Sequence, residues 1–132
     1  MALMLDKKTS KKLENRLNEF KEYGMTLYYL LEENRTSIKD LENIFFSKDD
    51  EKSSFIYSKI LKHTKPSDLN KAFEKYKNSE NSNNLDENVL KKHLNVIYTK
   101  KIIDLIKKEC SDTIDKTYVN TYDYLITNIV NK

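Results

Sequence analysis

Few side chains in this sequence could do metal or covalent chemistry, and their spacing works against it. His63 and His93 sit among lysines, in LKHTK and KKHLN, with no acid three or four residues away. Cys110 is the single cysteine. A zinc site takes three or four ligands, so these three residues would have to be gathered by the fold alone. Cys110 also lies in KKECSD, at the expected end of a helix, whereas thiol pKa values fall at helix N-termini. Asp49, Asp50 and Glu51 are consecutive and lack the alternating frame of a calcium loop, so they read as a solvated turn. A chain with one glycine can form neither a glycine-rich phosphate loop nor a nucleophile elbow. These residues predict a non-enzymatic chain with no catalytic group, metal or cofactor, and they imply no small-molecule substrate.

The lysines carry a different chemistry. Lys91 and Lys92, Lys100 and Lys101, and Lys107 and Lys108 form three pairs on one expected helix, with Asp104 the only acid between Asn88 and Lys108. Such a stripe could track the phosphates of nucleic acid or an anionic, curved membrane surface. Lys7, Lys8, Lys11 and Lys12 would extend it if the fold brought them near. The plainer reading is a solvated face, because lysine is abundant throughout. Only Arg16 and Arg35 among the 24 basic residues are arginine, a bias that looks like codon usage in an AT-rich genome, and the net charge is only +3.

The elements that must hold these residues are helical. One glycine and one proline leave little material for hairpins, while nine tyrosines and five phenylalanines argue against disorder. The strongest pattern is a heptad stripe: Leu13, Leu17, Phe20, Gly24, Leu27, Leu31, Asn34, Ile38, Leu41 and Phe45 alternate four and three residues apart. That spacing lines one side of a helix built to lie along another. Its phase does not change at the two places where a break could fall, Gly24 and Thr36–Ser37, so one continuous helix is predicted. At about 1.5 Å per residue it would be roughly 50 Å long and would overhang a compact domain of this size. Gly24 would permit close helix approach, and Asn34 would fix register.

Downstream, Phe55, Ile56, Ile60 and Leu61 mark a short helix ending near His63, and Pro66 suits the first turn of the next. Leu69, Ala72, Phe73 and Tyr76 give that helix one apolar side. A polar loop is expected at about 78–84. Asp86 and Glu87 then open a long helix through about Glu109, with Leu90, Leu94, Ile97, Tyr98, Ile102 and Leu105 inward. Ser111 or Asp112 would cap a last helix bearing Ile114, Tyr118, Tyr122, Leu125 and Ile129. Thr9 or Ser10 would cap the first.

The resulting expectation is a single all-α domain over 1–132. It is an antiparallel helical bundle with a long N-terminal heptad helix packed on the Lys-rich helix near 86–109. Its expected function is a protein–protein interaction module, self-associating through the heptad seam as a homo-oligomer and acting as an adaptor, regulator or structural subunit. Polyanion binding through the Lys-rich helix is the alternative. The opening MALMLDKK is too short an apolar stretch for a signal peptide, and no run reaches the roughly 20 apolar residues of a membrane span. A soluble, intracellular chain, cytoplasmic by default, is therefore expected.

Overall fold

The heptad stripe does not build one helix; it builds three. The computed structural model describes residues 6–78 and 86–130, apart from the side chains of Ile129 and Val130. Among these residues it forms α1 (Lys7–Phe20), α2 (Gly24–Glu32), α3 (Ile38–Phe46), α4 (Asp50–Lys62), α5 (Pro66–Tyr76), α6 (Glu87–Glu109) and α7 (Lys116–Val130), with no strand. The chain is an all-α helical bundle. Apart from Asn78, the expected polar loop lies outside the described residues.

The first break lies just before Gly24, where α2 comes into close contact with α6. A Cβ at this position would fall inside the van der Waals envelopes of Asn95 O and Thr99 Oγ1 on α6. The backbone of α2 can touch α6 there only because glycine has no side chain. Tyr23 offers α2 no side-chain cap. Asn95 supplies one from across the interface, its Oδ1 accepting from the Met25 N–H at 3.0 Å. Thr99 completes the junction by donating to Asn95 O at 2.7 Å and reaching toward Phe20 O at 3.5 Å.

The second break is a helix C-terminus of the Schellman type. Asn34 adopts φ 59°, its N–H bonds to Leu31 O at 3.1 Å, and the Arg35 N–H bonds to Leu30 O at 2.9 Å. Asn34 is thus an exposed left-handed cap, a conformation asparagine tolerates better than most residues. It does not set a buried register. Ser37 restarts the chain by accepting from the Asp40 N–H at 3.1 Å. Other ends also moved from expectation. Asp6 caps α1 through the Thr9 N–H, and α7 begins at Lys116, beyond the expected Ser111 and Asp112.

The stripe is nevertheless buried, inside the chain's own core. Leu13, Leu17, Phe20, Leu27, Leu41 and Phe45 are each at most 1% exposed. They pack with Ile44, Ile102, Ile103, Ile106, Tyr118 and Tyr122 in the larger of two apolar clusters. Leu31 and Ile38 are half-buried at its edge. The seam expected to meet a partner is covered by the chain's own helices, with α2 as the chief neighbour of α6 and α1 set against α7 and α3. The smaller cluster joins Met25, Ala72, Phe73, Tyr76, Leu90, Leu94 and Tyr98 across α2, α5 and α6.

The two arginines close corners of this bundle. Arg16 donates to Phe45 O at 3.1 Å and Ser47 O at 2.8 Å, and pairs with Asp50 at 2.5 Å, joining α1 to the α3–α4 turn. Arg35 pairs with the buried Asp68 at 2.6 Å and donates to His63 O at 3.3 Å, while Asp68 also accepts from the Lys65 N–H at 2.8 Å. A planar guanidinium can make such divergent bonds at once; an ammonium matches that geometry poorly.

Candidate functional site

The structure scatters the three residue types that could have done chemistry. His63 is the exposed cap residue of α4, and His93 is exposed on α6. Cys110 is half-buried at the end of α6, where burial and the neighbouring Glu42 carboxylate push its thiol pKa up. That shift disfavours the nucleophilic thiolate. Asp49 and Asp50 are used in the fold. Asp49 caps α4 through the Glu51 and Lys52 N–H groups, and Asp50 receives both Lys12 and Arg16. Among the described residues, no group of three or more His, Cys, Asp or Glu could hold a metal ion. Nor is any described helix long and apolar enough to cross a membrane.

The six lysines of α6 do not form one free stripe. Lys107 pairs with Asp123 at 2.6 Å, Lys91 pairs with Glu87 at 3.7 Å and lies 5.0 Å from the Phe73 ring, and Lys101 lies 4.6 Å from the Tyr98 ring. Lys92, Lys100 and Lys108 are exposed and, among the described residues, have no ion pair. The helix itself is wrapped more fully than its pattern indicated. Thr99, Ile103 and Ile106 are buried, whereas Ile97 and Leu105 are only half-buried.

A hollow of about 320 Å³ separates α4 from the α2–α3 connection, with Leu30, Ile56 and Ile60 as walls and Arg35, Lys59, His63 and Asp40 around it. Phe55, one of the apolar residues that mark α4 in the sequence, stands 69% exposed on its lip. Arg35 is already committed to Asp68.

The larger cleft, of about 650 Å³, is built from α1, α6 and α7. Glu14 and Asn18 lie four residues apart on α1, Lys21 is its C-cap, and Glu22 sits in the turn that follows. Lys92, Asn95 and Val96 face the cleft from one turn of α6, and Tyr124, Leu125 and Asn128 from one turn of α7. Val96 and Leu125, both half-buried, provide an apolar floor with the buried Leu17 beneath them, Tyr124 is 68% exposed, and the rim carries two lysines and two glutamates. Among the described residues, Asn18 and Asn128 have no side-chain hydrogen bond, and Lys21, Lys92 and Glu22 have no ion pair. Asn95 uses its Oδ1 on Met25 N, leaving its amide donors.

Sequence reasoning found only Lys92 and Leu17 of this set in a candidate role, the one as a polyanion contact and the other in the seam. The helical spacing of Glu14 and Asn18, and of Tyr124 and Asn128, was the available signal. Polar side chains at that spacing look like an ordinary wet face until the fold sets three of them around one hollow. A concave site with an apolar floor and a few convergent polar groups is the general form of a binding site. Compared with protein-family models, with curated proteins and with solved structures, the chain matches none.

Proposed function

We propose that the chain is a non-enzymatic helical interaction module that receives a partner polypeptide in the cleft between α1, α6 and α7. The observation that carries this reading is the combination of an apolar floor, an exposed Tyr124 and uncommitted polar side chains in one hollow of about 650 Å³. Exposed aromatic side chains offer large contact area at low entropic cost, and they recur as anchors in interfaces. The heptad seam is not the contact surface in this reading, because its apolar members other than Leu31 and Ile38 are buried in the chain's own core, and Leu17 underlies the cleft rather than facing a partner.

Selection of a displayed linear-peptide library against the folded chain tests it. Enriched peptides should bind the parent chain and lose about tenfold or more in affinity for a Tyr124→Ala, Lys92→Ala variant. Circular-dichroism melting should show that variant to be folded. Enriched peptides that bind parent and variant alike, or no enrichment at all, would remove the cleft as the site. Light scattering adds the self-association arm: a dimer dissociated by the same variant would identify the partner as a second copy.

A further inference from the structure

We infer that the cleft holds its partner as an extended segment, read through its main chain by the carboxamides of Asn18, Asn95 and Asn128. This rests on the proposal that the cleft binds a polypeptide and adds the form in which it does so. A primary carboxamide carries both an acceptor oxygen and a two-proton donor, so it can satisfy a peptide group's N–H and C=O together. Helical partners have already paired those groups internally and would present only side chains. Three helices each contribute one carboxamide to the same hollow. Asn95 is oriented by Met25, whose N–H holds its Oδ1 and leaves the Nδ2 donors for an acceptor such as a main-chain carbonyl.

Length and charge agree with this occupant. The α1 side of the cleft runs from Glu14 to the C-cap Lys21, which at about 1.5 Å per residue is roughly 10 Å. An extended chain advances about 3.3 Å per residue, so roughly three residues span it. The lining holds two lysines, Lys21 and Lys92, and two glutamates, Glu14 and Glu22, of which Glu14 also pairs with Lys11 at 3.7 Å, so its own formal charge sums to zero. That balance suits a neutral main chain and disfavours a phosphate backbone, whose affinity depends on an excess of cations. Tyr124 then stacks on an apolar side chain of the segment, while the half-buried Val96 and Leu125 receive its alternate neighbour.

The test uses peptides enriched against the full chain, each resynthesised with single N-methyl groups along its length. Loss of about tenfold in affinity at one or two central positions, with no gain of helical circular dichroism on binding, supports the inference. So does a loss of about fivefold in each of the exposed-site variants Asn18→Leu and Asn128→Leu, provided their melting curves match the parent. Peptides that need Tyr124 and Lys92 yet become helical on binding, or tolerate every N-methyl group, overturn the extended mode and leave the cleft as the site. Peptides indifferent to Tyr124 and Lys92 overturn both. Displacement of the peptide by a mixed-sequence single-stranded DNA, with steep salt dependence, would also overturn it by making the occupant a nucleic acid.

Discussion

The two halves of α6 live in different surroundings. In the C-terminal half Ile102, Ile103 and Ile106 are fully buried, enclosed in the cluster that also holds Leu27, Phe45 and Tyr122. In the N-terminal half one side, Leu90, Leu94 and Tyr98, packs on the smaller cluster, and another carries Lys92, Asn95 and Val96 into the open cleft. The smaller cluster is also the more polar. Tyr28, Tyr76 and Tyr98 bring their rings within 4.3–5.9 Å of one another, and Tyr76 donates to the Glu32 carboxylate. One half of the helix therefore supplies cohesion, and the other supplies accessible chemistry on a frame already held. A single helix can do both because its apolar residues occupy most of its circumference at one end and only part of it at the other.

The largest expected effect breaks that contrast directly. Ile103→Ala should lower unfolding free energy by about 4 kcal/mol, since the enclosed site cannot collapse around the void, while Leu90→Ala at the open end should cost about 2 kcal/mol. Equal losses in urea unfolding would show that the two halves are packed alike. Gly24→Ala comes next, at about 3 kcal/mol, because the added methyl must push apart the α2–α6 junction rather than merely leave a hole. An unchanged melting temperature would mean the junction is loose.

Acid sharpens the comparison with a smaller effect. The Arg35 guanidinium holds the Asp68 carboxyl below the usual carboxylate range, helped by the Lys65 N–H, and Lys12 with Arg16 does the same for Asp50. A depressed folded-state pKa gives stability that is complete above the unfolded value of about 3.9 and is lost as pH falls through the lower folded value. Melting temperature should therefore drop on acidification below about pH 4, and Asp68→Asn should flatten part of that decline while lowering the plateau above it. An unaltered acid limb in Asp68→Asn would remove this pair as a contributor.

The all-helical character was legible because one glycine, one proline and long stretches at helical spacing leave strands no footing. Pro66 at the first turn of α5 and Asp86–Glu87 at the start of α6 were equally legible, since local chemistry sets a helix start. The breaks in the heptad stripe were not. Both connections return the chain to the same core, so the apolar phase passes through them unaltered, and phase was the quantity being read. Gly24 was seen as a close-approach position, but the opposing surface, Asn95 and Thr99, lies about seventy residues away. The cleft was hidden for the same reason. Its residues come from three separated stretches of the chain and are mostly polar, so no periodicity of burial marks them.

The guanidinium clamps have a consequence for the cost of assembly. Arg16 reaches partners 29 to 34 positions along the chain and Arg35 reaches partners 28 and 33 positions along, whereas Asn95 finds Met25 across 70. Loop-closure entropy grows with the length enclosed, so the shorter circuits cost less to shut. The fasteners that join the first five helices therefore need no residue of α6 or α7. The longer circuits are those that bring in α6 and α7, where Asn95 accepts from the Met25 N–H across 70 positions and Tyr122 donates to Phe45 O across 77.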